Sequence, residues 1–189
     1  AMMENADKTC YFIEQVADFF RYNIQQQSRV VSIDEELALV DNFVYIMKVR
    51  FGNRLEFTKK IPDGSFPQKI PSMTLQPLVE NCIKHGLKNT KGKVCLEVSR
   101  EEKHIVISIS DNGEGMPDKT REAVFKAVAA ETTRLPENVL DDKSSHNGTG
   151  LISVFLRLQL QFHRYDLFDI SSGDNKEGTK FIIRIPDHV

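Results

Sequence analysis

The chain is 189 residues long, 40% hydrophobic and 28% charged, the make-up of an ordinary globular protein with enough chain to bury a core. Its net charge of -2 excludes a general nucleic-acid binder and leaves Lys84, Lys88, Lys91 and Lys93 as one local basic cluster. The three scattered cysteines, Cys10, Cys82 and Cys95, lack CxxC spacing, which excludes a disulfide framework and a zinc knuckle and fits a reducing cytoplasm. There is no signal peptide and no run of ~18 apolar residues, so these residues do not themselves cross a membrane. Ala1 ahead of Met2 suggests a piece of a larger protein.

Taken in order, Phe12, Ile13, Val16, Phe19, Phe20 and Ile24 recur at helical spacing and predict an amphipathic helix from Cys10 to about Gln27. A second helix is expected from Ser32 as N-cap, with Glu35 three residues on completing a capping box, to a stop at Gly52. The apolar faces of these two helices have three candidate partners: each other, the residues that follow, or another copy of the chain. Leu55, Phe57 and Ile61 then alternate with charged residues as in a half-buried strand, and residues 62–72, PDGSFPQKIPS, are turn-rich. A helix beginning near Thr74 tolerates Pro77 in its first turn and buries Leu75, Leu78, Val79, Cys82 and Ile83 along one stripe. Val94, Leu96 and Val98, then Ile105, Ile107 and Ile109, alternate as the two strands of an antiparallel hairpin.

Residues 117–147 are helix-capable around Arg121 to Ala130, yet their few large apolar residues predict a mobile segment rather than core. Gly148 to Leu151 open another apolar helix containing Val154, Phe155, Leu158 and Phe162. Two strands close the chain, near Leu167 to Ser171 and from Thr179 to Ile185. Adjacent strands interrupted by helices predict an α+β, two-layer α/β sandwich with a mixed, largely antiparallel sheet and a helical N-terminal extension. The expected division is 1–52 for the helical extension and 53–189 for the sandwich.

Some residues are ill suited to a purely structural role. Asn81, Lys84, His85 and Lys88 share a second stripe beside the buried one. An amide oxygen one turn before a lysine and an imidazole suits a hydrated magnesium ion beside phosphates, because Mg²⁺ keeps most of its waters; a solvated helix edge explains the stripe equally well. Asp111 ends a buried strand, where a carboxylate is costly unless a donor such as an adenine amino group reaches it, and Gly113 and Gly115 would let the backbone approach a flat ring. The alternative there is a plain Asp-Asn-Gly turn. Gly148 and Gly150 at a helix start offer free amides to an anion or serve only as a hinge, and Gly178-Thr179 is ordinarily a turn.

In combination, ENCIKHG, DNGEGM, GTGL and EGT, in that order on helix, strand end, helix start and strand start, resemble the N, G1, G2 and G3 boxes of the ATP-binding (Bergerat) fold shared by gyrase, Hsp90, histidine kinases and MutL. LQPLVENCIKHG, with the prefix FFRYNIQQQ and VSIDEELALVDNFVYIMKVRFG, most resembles sensor histidine kinases of the LytS/YesM type. The resemblance implies Asn81 as magnesium ligand, Lys84 as a phosphate contact and His85 beside the nucleotide. It further implies Asp111 as acceptor for the adenine amino group in a pocket shaped by Gly113, Gly115 and Met116. Gly148, Thr149, Gly150 and Leu151 would frame the lid, and Thr179 would support Asp111 through water. Glu80 is the candidate catalytic carboxylate, although on a helix it points about 100° away from Asn81. Pro77 stands where gyrase-type ATPases place the glutamate that activates water, which disfavours hydrolysis as the purpose.

The implied partners are ATP and Mg²⁺, a histidine-bearing helix upstream in the same protein, a response regulator, and a second copy in the intact, membrane-anchored bacterial sensor whose cytoplasmic part this would be; nucleic acid is not among them. None of the five histidines, His85, His104, His146, His163 and His188, sits in the HFLxNxLN-like context of the phosphoacceptor, so the acceptor is expected upstream. A regulatory module that binds nucleotide without transferring phosphate is the alternative.

Overall fold

The computed structural model describes residues 10, 12–14, 16, 17, 29–87, 91–134, 149–172 and 178–187. Residues described between Cys10 and Ala17 are helical; the rest of the first expected helix lies outside the described residues. Helix α1 (Ile33–Phe51) starts where the sequence places it: the Ser32 hydroxyl accepts from the Glu35 amide at 3.2 Å and the Glu35 carboxylate accepts from the Ser32 amide at 2.6 Å. Gly52, at φ 56, ends it by donating to the Lys48 carbonyl.

Strands β1 (Val30–Ser32) and β3 (Lys69–Pro71) pair antiparallel in a small sheet of their own. The sequence reading has only a polar break and a turn there, because three-residue strands are too short to display alternation. The turn-rich run is also anchored: Phe66 is buried, its amide donates to the Asp34 carboxylate at 2.9 Å, and its carbonyl accepts from the Asp34 amide at 3.2 Å.

The main sheet runs β2-β4-β5-β7-β6, from β2 (Leu55–Lys60), β4 (Gly92–Glu101), β5 (His104–Asp111), β7 (Thr179–Pro186) and β6 (Phe168–Ser172). Only β2 and β4 are parallel, as their crossover through helix α2 (Leu75–Gly86) requires. Along β4, β5 and β7 the residues of one face, among them Leu96, Ile107 and Ile183, are buried, and most of their alternates are half-covered. Helices therefore cover one face, giving the expected α+β two-layer sandwich with a mixed, largely antiparallel sheet. Helix α1 joins this layer, its Ile33, Leu37, Val40 and Phe43 sharing one core with Leu75 and Leu78 of α2.

Helix α3 (Asp118–Arg134) and helix α4 (Thr149–Phe162) pack against each other. Here the expectation of a segment outside the core is corrected: Val124 and Val128 are buried, and the Phe125 ring stacks on Phe168 at 5.4 Å, itself stacked on Phe155 at 3.9 Å. One narrow stripe of two valines and a phenylalanine docks a helix that otherwise carries no large apolar residue. Residues 135–148 lie outside the described residues.

Candidate nucleotide site

Helix α2 buries Leu75, Leu78, Val79, Cys82 and Ile83 against the sheet. That fixes its rotation: Lys84 is exposed, Asn81 and His85 are half-buried along the edge, and Glu80 is exposed. Glu80 accepts a hydrogen bond from the Gln76 side chain at 3.2 Å one turn earlier. Its direction follows from the 100° step between neighbours on a helix. Lys88 lies outside the described residues.

Asp111 ends β5 and is buried. Its Oδ1 accepts from the Gly113 amide at 2.8 Å and the Thr179 amide at 3.3 Å, and the Cys82 thiol donates to the same carboxylate. Thr179 thus reaches Asp111 directly through its backbone, where the sequence reading has a bridging water. Burial pushes the Asp111 carboxyl above its usual range, against the amides of Gly113 and Thr179, the Cys82 thiol and the charge of His85, which pull it down. Burial also raises the Cys82 thiol well above its ordinary value, and Asp111 raises it further, so the thiol remains a proton donor.

Close packing explains the glycines around Asp111. A Cβ on Gly113 would stand 2.8 Å from the His85 carbonyl oxygen and 2.9 Å from Asp111 Oδ1. Gly178, at φ 69, would drive a Cβ into the Asp111 carbonyl, and its amide donates to the Gly113 carbonyl at 2.8 Å. The strand end, the loop to Gly115 and Met116, and the start of β7 are therefore one interlocked unit against the C-terminal end of α2. Asn112 completes it, accepting from the Lys93 amide at 2.7 Å and donating to the Lys91 carbonyl at 3.1 Å.

The remaining candidates are placed less closely. Thr149 and Gly150 open α4, with open space where a Gly150 Cβ would stand; Leu151 is buried in the core. Gly148 lies outside the described residues. Among the described residues no group of three or more His, Cys, Asp or Glu side chains is arranged to hold a metal ion, and no helix is long and apolar enough to cross a membrane.

Sequence reasoning missed two charged residues behind this site. The Glu36 carboxylate accepts from the amides of Met73 at 2.6 Å, Thr74 at 2.9 Å and Leu75 at 2.8 Å. Arg157 of α4 donates to the Ser72 carbonyl and, at 2.7 Å, to the Met73 carbonyl. Burial raises the Glu36 carboxyl, which the three amides and Arg157 oppose, and burial lowers Arg157, which Glu36 opposes. The available signal was a glutamate inside the apolar stripe Ile33, Leu37, Val40 and an arginine between Val154 and Leu158.

Residues 68–189 match the family model described as histidine kinase-, DNA gyrase B- and HSP90-like ATPase, and residues 1–55 match one described as histidine kinase. Over 190 aligned residues the chain is 30% identical to the sensor protein LytS of Streptococcus agalactiae, covering 98% of this chain and 30% of that protein. It is 31% identical over 140 residues to the sensor histidine kinase BtsS of Escherichia coli, covering 73% of this chain and 25% of that one. Among solved structures it is similar in fold to the mycobacterial sensor histidine kinase MprB, with a TM-score of 0.56 at 17% identity over 84% of this chain and 97% of the other. The catalytic domain of histidine kinase ThkA is similar to the same degree, with a TM-score of 0.56 at 16% identity and the same coverage.

Proposed function

Because this chain belongs to the histidine kinase-, DNA gyrase B- and HSP90-like ATPase family, as a catalytic domain of the histidine kinase branch, we propose that it binds MgATP and presents the γ-phosphoryl group to a histidine of the same parent protein. The observation that carries this reading is the Asp111 cradle. A buried carboxylate, fixed through Oδ1 by the amides of Gly113 and Thr179, keeps acceptor capacity for one more donor, and the exocyclic amine of adenine is a donor of the right kind. Guanine would offer a carbonyl oxygen there, which the carboxylate repels.

The edge of α2 suits the other end of the nucleotide. Asn81 supplies an amide oxygen, and Lys84 and His85 follow within one turn, a donor set that fits a magnesium ion holding few protein ligands beside phosphates. When bound, that ion neutralises charge on the phosphate oxygens. Lys84 would add its own positive charge at the phosphates, and Asp111 holds the base so that the triphosphate lies along α2.

Transfer is a displacement at phosphorus: an imidazole nitrogen forms the new P–N bond, the bond to the β,γ-bridging oxygen breaks, and ADP leaves with the electron pair. Positioning and charge stabilisation supply most of the catalysis in such a step. Glu80 is proposed to assist only after the acceptor histidine docks, since it faces solvent here. The acceptor is proposed on a helix preceding these residues, the phosphoryl group passing next to a response regulator. The intact protein is proposed to be a membrane-anchored homodimer, with this domain on the cytoplasmic side.

The test is to join the chain to its parent's preceding helical segment and supply ATP labelled at the γ-phosphate. The expected product is acid-labile, base-stable phosphate on a histidine. Label on serine or threonine, or none on a folded protein, would refute the transfer.

A further inference from the structure

The turn from Ser72 to Leu75 is held on both sides by opposite charges from two different helices. The first amides of a helix have no partner of their own, and Thr74, at the N-cap of α2, accepts none of them through its side chain, whose hydroxyl donates to the Pro71 carbonyl at 2.6 Å. Glu36, fully buried on α1, takes that role with three accepted bonds. Arg157, on α4, holds the carbonyls of Ser72 and Met73. Between them Met73 sits at φ 58, a left-handed conformation that a non-glycine residue keeps only when its surroundings impose it.

We propose that Glu36 and Arg157 are positioning residues that fix where α2 begins, and hence where its Asn81 edge lies, so that α1 is mechanically joined to the triphosphate half of the nucleotide site. Asn81 stands six residues beyond Leu75 on the same helix, about 9 Å at 1.5 Å per residue. A shift of the first turn is therefore carried to Asn81, Lys84 and His85 with little loss. Asp111 is different: it belongs to the sheet and is fixed by Gly113 and Thr179. Loosening the clamp should weaken the grip on magnesium and phosphates while sparing the grip on adenine. The same clamp reaches α4, whose first turn holds Gly150, so α1, α2 and α4 move as one body or not at all.

This inference rests on the proposed nucleotide site, and the test separates the two. Glu36→Gln keeps the shape but replaces one acceptor oxygen by a donor, and Arg157→Lys keeps the charge but loses the forked pair of bonds. On the full chain, two affinities are compared by calorimetry: a non-hydrolysable ATP analogue with magnesium, and adenosine, which lacks phosphates, in EDTA. For Glu36→Gln the expected result is a loss of about tenfold for the first and less than about twofold for the second; Arg157→Lys should show a smaller loss of the same pattern. Hydrogen exchange at the amides of Met73, Thr74 and Leu75, measured without nucleotide, should be slow in the parent and accelerated selectively in both variants. Equal losses for both ligands, or unchanged affinity for both in folded variants, would overturn the inference. A parent chain that binds neither ligand would refute the nucleotide site, and unchanged exchange at the three amides in the variants would then refute the clamp independently.

Discussion

At the scale of single residues, Asp111 is where stability and the proposed nucleotide binding oppose each other. Its carboxyl is raised above the ordinary range mainly by burial, so the folded chain disfavours its charge. A raised carboxyl contributes stability that is complete below the unfolded-state pKa and lost as pH rises through the folded value. At neutral pH, Asp111→Asn should therefore melt no lower than the parent, since the amide oxygen can still accept from Gly113 and Thr179. In the proposed nucleotide site binding runs the other way: adenine would need the ionised acceptor, so affinity should fall on acidification from a higher pH than an ordinary aspartate would show. Thermal melts at neutral pH and titrations across the acid range check both signs. The motif letters made Asp111, Gly113 and Gly115 visible in the sequence, but not the reason for Gly178, which is the backbone of Asp111 lying against it. Glu36 was hidden for a related reason: it caps a helix 39 residues away, a pairing that no local spacing records.

Among the elements, α1 was legible from its start to its end because both signals, the Ser32–Glu35 box and Gly52, are local. Strands β1 and β3 were not, being three residues each and stabilised by one another. Helix α3 was readable as a helix but misjudged in its docking, because the mean hydropathy of a polar helix conceals one narrow apolar stripe. Its attachment has a measurable consequence. Phe125 is partly buried and stacked on Phe168, so Phe125→Ala should cost about 2 kcal/mol, below the range for a fully buried phenylalanine. Urea denaturation reads this directly. A cost under about 0.5 kcal/mol, the size typical of undocked surface positions, would mean that the stripe does not hold α3 to the core.

For the whole molecule, the two-layer arrangement places the end of β5, the start of β7 and the C-terminal end of α2 at one site, which is why three of the four short motifs, spread over a hundred or so residues of chain, converge there. Three of them are seen to be close; the fourth straddles Gly148, outside the described residues. Helix α1 shares one hydrophobic core with the sandwich. The chain spans 30% of the LytS relative's length and belongs to the histidine kinase family as a catalytic domain.

We propose that this domain holds a nucleotide between Asp111 and the Asn81 edge of α2. The most direct measurement is calorimetric titration of the chain with a non-hydrolysable ATP analogue and magnesium, beside Asn81→Asp and Asp111→Asn. Micromolar binding by the parent, weakened in each variant by about tenfold or ~1.4 kcal/mol, is the predicted result. A folded parent chain that binds no nucleotide, or binding unaltered in both variants, would contradict it.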